Sequence, residues 1–149
     1  MKSLKKSEKG FTLIEVVIVL AIAAGIILIV LLAIAGANRS SRDTKRVSLV
    51  GNLAAGIEQY AGNHDGNLPT NQAGINTIIG TPLKPEFADP LSGTGPKVTG
   101  AVTAANPVVY NYNRVCVNNA ASATGATTRT WAITYWNENS SEILCRDNK

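Results

Sequence analysis

The sequence predicts an α+β fold in which one long N-terminal helix packs on a small antiparallel β-sheet. An apolar run over residues 12–37 continues into a segment whose apolar residues recur at three- and four-residue steps, the period of an amphipathic helix. The last third of the chain instead alternates apolar and polar residues in short runs separated by turn residues, which is typical of strands. The 149 residues therefore allow one small domain beside a membrane segment.

Residues 1–10 are predicted to form a leader peptide that ends at Gly10. Its four lysines and one glutamate contribute +3 to the net charge of +4, so a chain beginning at Phe11 would carry only +1. The basic isoelectric point of the whole chain is therefore no argument for nucleic-acid binding. The four lysines of the leader are matched by four Lys or Arg after the apolar run. Counting positive charges on the two sides of this run therefore leaves the membrane orientation open.

Residues 11–37 are long and apolar enough to cross a bilayer as a helix, for which about 20 residues suffice. Glu15 is the exception, because an acid at bilayer depth costs about 2.5–3.5 kcal/mol and marks a functional site by default. Such a carboxylate needs a cationic partner. Cleavage between Gly10 and Phe11 would create one, an α-amine four residues away.

Residues 38–62 are predicted to continue the helix in amphipathic form. Their first part is basic, which is most often a solvated helix face. An apolar stripe follows, and a cluster of Gly, Asn, Asp and Pro after Ala61 ends the helix. The predicted stripe consists of Val47, Val50, Leu53, Ala54, Ile57 and Tyr60.

Residues 63–107 are rich in Gly, Pro, Thr and Asn, and we predict a connecting region with a short helix around residues 75–79. Asp89 with nearby carbonyls is a minor candidate for a calcium site, although few carboxylates accompany it.

Residues 108–149 are predicted to form an antiparallel meander covered by the helix stripe. A third strand begins near Ile143. The two faces expected to point at the core consist of Val108, Tyr110, Tyr112 and Cys116 in the first run, and Trp131, Ile133 and Tyr135 in the second.

The only two cysteines are Cys116 and Cys145. In an exported domain a disulfide is their expected state, and closing this loop would stabilise the fold by about 3.5 kcal/mol. The alternative is a pair of buried free thiols.

No catalytic motif stands out, and we expect neither enzymatic activity nor a cofactor. The sequence contains no Gly-rich phosphate loop and no nucleophile elbow. Its only histidine, His64, lies in a turn signal, and no set of Cys and His has zinc-like spacing, so no metal site is predicted.

The segment Lys9-Gly10-Phe11-Thr12-Leu13-Ile14-Glu15 with the apolar run after it resembles the class III signal of type IV pilins and pseudopilins. The resemblance implies a pilin-like fold, cleavage after Gly10 by a prepilin peptidase and N-methylation of Phe11. It also implies that Glu15 pairs with the Phe11 amine of a neighbouring subunit during assembly. Residues 63–107 would be the variable αβ loop, and residues 108–149 would hold the disulfide-bounded C-terminal region.

The expected function is therefore that of a filament subunit, most simply a major pilin, for surface attachment, twitching motility or DNA uptake. Its partners would be copies of itself, the peptidase and methyltransferase, and an assembly platform in the inner membrane. The chain would first span that membrane once with its N-terminus inside, and its basic segment would face lipid headgroups and later acidic groups of neighbours. The alternatives are a pseudopilin of a type II secretion or competence system, a minor pilin, or a membrane-anchored binding module that never polymerises.

Overall fold

The computed structural model describes residues 10–103 and 105–149. The predicted leader, apart from Gly10, lies outside them. The chain divides into two compact units, one that ends at Ala37 and one that comprises Asn38–Lys149. Its elements are helices α1 (Leu13–Gly62) and α2 (Gln72–Ile79), a 3₁₀ turn (Pro85–Phe87), and strands β1 (Lys97–Val98), β2 (Val108–Tyr112), β3 (Val115–Val117), β4 (Ala120–Ser122), β5 (Trp131–Asn137) and β6 (Glu142–Asp147).

The first unit contains the apolar part of α1. Its most apolar 18-residue window has a mean hydropathy of 3.4, and none of it is buried. The helix is long and apolar enough to cross a membrane, as the sequence predicts.

In the second unit, α1 packs one face on the sheet. The predicted stripe is confirmed at Val50, Leu53, Ala54 and Ile57, all of which are buried. The prediction is wrong for Val47, which is 48% exposed. Three residues that the predicted stripe left out complete the buried face, Asp43, Arg46 and Leu49.

The main sheet has the strand order β1-β2-β5-β6. Strands β2, β5 and β6 are antiparallel neighbours, as predicted, with Tyr110 opposite Ile133 and Tyr135 opposite Leu144. The prediction of a wholly antiparallel sheet is wrong at its edge, because the two-residue β1 pairs parallel to β2. The core lies between α1 and this sheet, where Tyr110 and Ile133 are fully buried.

The prediction that Cys116 belongs to the first strand of the meander is wrong. Asn113 has a positive φ of 52° and turns the chain away after β2, so Cys116 lies in the separate hairpin β3–β4. The two-residue turn of this hairpin is Asn118-Asn119, with φ of 50° and 59°. Two consecutive residues with positive φ suit a two-residue hairpin turn, and asparagine tolerates this conformation better than most residues.

The connecting region contains the predicted short helix, which extends over Gln72–Ile79. Asn71 caps it by accepting a hydrogen bond from the Gly74 N–H at 2.9 Å. Ile75 and Ile79 point into the core and fix the helix against α1.

Candidate functional site

The peptide bond between Gly10 and Phe11 is accessible. Both residues are exposed, and the Phe11 residue is 88% exposed. They precede the first residue of α1, Leu13, so the bond is not held in helical hydrogen bonding.

Thr12 and Glu15 form a capping box at the start of α1. The Glu15 carboxylate accepts hydrogen bonds from the Thr12 backbone N–H at 2.9 Å and from its hydroxyl at 2.8 Å. In return, the Glu15 N–H donates to the Thr12 hydroxyl oxygen at 3.3 Å. This exchange satisfies backbone donors that a helix N-terminus otherwise leaves unpaired. The Thr-x-x-Glu spacing is a known signal for it, and our sequence analysis missed it.

Glu15 is thus placed one turn from the predicted cleavage site and already has a partner in the uncut chain. Before cleavage the Phe11 nitrogen is an uncharged amide, so the pairing of Glu15 with a Phe11 amine stays a prediction. Glu15 is the only charged side chain in residues 11–37, and the α1 N-terminus favours its negative charge.

A network of charged side chains lies where α1 enters the second unit. Arg46, whose side chain is 2% exposed, donates from Nε to Asp89 Oδ2 at 2.5 Å. Its Nη1 lies 2.7 Å from Glu138 Oε1 as an ion pair whose geometry does not make a hydrogen bond. Arg42 approaches the other oxygen of Glu138 at 2.6 Å. The network joins α1 to the connecting region and to the β5–β6 turn.

Asp43 strengthens the same junction. Its two carboxylate oxygens accept the backbone N–H groups of Glu138 and Asn139 at 2.8 and 2.9 Å. The β5–β6 turn is therefore held to the helix by side chains that precede it by about 95 residues. No local sequence pattern marks such a partner, which is why sequence reasoning read these residues only as a basic helix segment.

The network shifts the pKa values of its members toward their charged forms. Burial raises the pKa of Asp89, but the hydrogen bonds from Arg46 and from the N–H groups of Ser92 and Leu91 outweigh it, so the pKa is lowered. The hydrogen bond from Arg42 is the largest cause of the lowered pKa of Glu138. Both carboxylates are therefore ionised at neutral pH.

These contacts rule out the suggested calcium site at Asp89. One carboxylate oxygen is bound to Arg46, and the other accepts the N–H groups of Leu91 and Ser92, each at 2.9 Å. The residue is 2% exposed, so it offers no open coordination position. No group of three His, Cys, Asp or Glu side chains that could hold a metal ion occurs in residues 10–103 and 105–149.

Cys116 and Cys145 are joined by a disulfide, with their Cα atoms 5.7 Å apart. It ties the β3–β4 hairpin to β6, instead of tying the first strand of the meander to the last. Asp147 supports the same contact by accepting the Cys116 N–H at 2.7 Å.

A groove of about 610 Å³ in the second unit is lined by residues of α1 and of the connecting region. Tyr60 and His64 stack at one end of it with their ring centroids 3.9 Å apart. His64 is exposed at the helix end, and its Nδ1 lies 2.8 Å from the Tyr60 carbonyl oxygen.

Comparison of the chain with family models, with curated proteins and with solved structures finds no significant match in any of the three.

Proposed function

We propose that the chain is a type IV pilin subunit, most simply the major subunit of a surface filament. The observation that carries the proposal is an apolar helix segment with no buried residue, which holds a single carboxylate close to an exposed Gly10–Phe11 bond. We expect the filament to serve surface attachment, twitching motility or DNA uptake.

The uncovered helix supports insertion followed by polymerisation. Leaving one large aliphatic side chain in water instead of burying it costs about 1.5–3 kcal/mol, and this helix displays them on every side. The segment therefore needs lipid around it as a free subunit. That its N-terminus lies inside follows only from the resemblance to type IV pilins. In a filament, the same segments of other copies would cover it.

Glu15 supports a specific register between those copies. A carboxylate inside an apolar bundle is strongly unfavourable unless it meets a cation. Cleavage after Gly10 would supply a cation on every subunit, the Phe11 α-amine, which a methyltransferase would then methylate. The Glu15 of one subunit would pair with the Phe11 amine of its neighbour and set their axial offset.

The second unit supports exposure outside the cell. Disulfides persist mainly in oxidising compartments, and this unit has one. A prepilin peptidase and an inner-membrane assembly platform would be the partners of the subunit before it reaches the surface.

The test is the mass of the N-terminal peptide in native protein sheared from cells. We expect a methylated Phe11 start in the sheared fraction, and we expect Gly10→Val to abolish both processing and filaments. A Phe11 start confined to the cell envelope would instead identify a pseudopilin or minor pilin. A Met1 start in a protein that stays in the membrane would identify a non-polymerising anchored module.

A further inference from the structure

Four cations follow the apolar run within ten residues: Arg39, Arg42, Lys45 and Arg46. The structure divides them into two pairs with different surroundings. Arg42 and Arg46 bind carboxylates of the same chain, and Arg46 is buried. The charge of Arg46 is therefore neutralised inside the domain, and that of Arg42, whose side chain is 28% exposed, is paired with Glu138 at the domain surface.

Arg39 and Lys45 are exposed. Within residues 10–103 and 105–149, no carboxylate forms an ion pair with either of them. Four exposed residues around them carry hydroxyl groups, and none of the exposed residues from 38 to 48 is an acid. The one acid of this stretch, Asp43, is buried and accepts the backbone N–H groups of Glu138 and Asn139. The four hydroxyl residues are Ser40, Ser41, Thr44 and Ser48. About two turns of α1 thus present two cations and the hydroxyl groups of serines to their surroundings, while the Thr44 hydroxyl donates to the Ser40 carbonyl oxygen at 2.9 Å.

Their position along α1 places them at the depth of lipid headgroups if the apolar run ends at the edge of the hydrocarbon. At 1.5 Å per residue, Arg39 lies about 3 Å and Lys45 about 12 Å beyond Ala37. The headgroup layer is about 5–8 Å thick on each side, and the long Lys side chain reaches back by several ångströms. Both charges therefore come within reach of phosphate groups.

We infer that Arg39 and Lys45 bind the phosphates of anionic phospholipids and hold the unassembled subunit at a fixed depth in the bilayer. This inference rests on the proposed membrane insertion. The complementary charges are two unneutralised cations and the anionic headgroups that border the apolar segment. The internal ion pairs of Arg42 and Arg46 limit the site to these two cations.

The test uses the full chain reconstituted in bilayers of phosphatidylcholine mixed with phosphatidylglycerol. Native mass spectrometry after release from the bilayer counts how much of each lipid stays bound. We expect phosphatidylglycerol to be retained preferentially, with the preference falling about fivefold for each cation removed in R39Q, K45Q and the double variant. The preference should also weaken as salt is added, because exposed charges are screened.

The matched control is K84Q/K97Q, which removes two exposed lysines from the connecting region and β1. It should keep the lipid preference of the unmodified chain. A loss of preference as large as that of R39Q/K45Q would show an effect of net charge alone and would overturn the inference.

Three further outcomes are decisive. A chain that inserts equally well in both lipids and retains both equally overturns the inference while leaving membrane insertion intact, whereas a chain that no bilayer retains overturns the proposed function as well. If R39Q/K45Q keeps the lipid preference but forms no filaments, the two cations meet acidic groups of neighbouring copies instead, which also overturns the inference.

Discussion

The Glu15 carboxylate accepts both the backbone N–H and the hydroxyl of Thr12, at 2.9 and 2.8 Å. The residue that the proposed assembly mechanism needs is therefore also the residue that completes the start of its own helix. The two roles make different demands on the side chain. Capping needs an acceptor oxygen, whereas pairing with an α-amine needs a negative charge.

Replacing Glu15 with Gln separates these roles. Glutamine keeps the capping box but has no charge, so we expect E15Q to enter the membrane and to form no filaments. T12A removes the cap, at a cost of about 1 kcal/mol, and should still assemble. The yield of sheared filaments relative to membrane-bound subunit is the measurement, with T12S as a control that keeps the hydroxyl. Normal filaments from E15Q would leave Glu15 with a capping role only.

Replacing Arg46 with Met should strongly destabilise the second unit. The change leaves the buried Asp89 carboxylate without its cation, and breaking a buried pair in this way costs about 3–5 kcal/mol. R39M changes an exposed cation of the same helix and should shift stability by less than about 0.5 kcal/mol. Urea unfolding of the full chain in detergent, followed by Trp fluorescence, compares the two variants. Equal midpoints would mean that the network contributes nothing to stability.

Acid should weaken the ion pairs that join α1 to Asp89 and Glu138. The pKa values of Asp89 and Glu138 are lower in the folded protein than in the unfolded chain, so folding is favoured by their ionised forms. That stabilisation is fully present above the unfolded values, near pH 4, and is lost as the pH falls through the lower folded values. We expect the melting temperature to drop below about pH 4, and to drop less in D89N/E138Q, which is less stable at neutral pH but has lost both titrating groups. A pH profile identical to that of the unmodified chain would place the acid sensitivity elsewhere.

Removing the hydroxyl of Tyr110 should not harm the fold. Tyr110 is fully buried, and its hydroxyl has no hydrogen-bond partner among the described residues. Burial raises the pKa of this phenol, so it stays uncharged. Because an unpaired buried polar group costs about 1–3 kcal/mol, we expect Y110F to be neutral or stabilising in urea unfolding. Y112F, at a half-buried position on the same strand, is the comparison. Destabilisation confined to Y110F would reveal a partner for the hydroxyl.

The long helix, the strands β2, β5 and β6, and the cysteine pair could be predicted without the structure, because each has a local or countable signature. The apolar run, followed by apolar residues at three- and four-residue steps, predicts one helix that is apolar in its first half and amphipathic in its second. The alternation of apolar and polar residues around Tyr110 and Ile133 predicts which face of each strand points to the core. With only two cysteines, the pairing of Cys116 with Cys145 needs no knowledge of the fold once export is assumed. The Thr12–Glu15 capping box could also have been predicted, because its three-residue spacing is a local signal.

Which of the cations after the apolar run are available to a partner depends on how the helix packs against the rest of the chain. Arg46 and Asp89 lie 43 residues apart in the chain, and Arg42 and Glu138 lie 96 residues apart. At such separations no local sequence pattern indicates which residues will form an ion pair. The same holds for the parallel pairing of β1 with β2 and for the departure of Cys116 into its own hairpin. Periodicity reports which face of an element is apolar. It carries no information on which distant side chain will neutralise a charge, because that depends on how the elements pack.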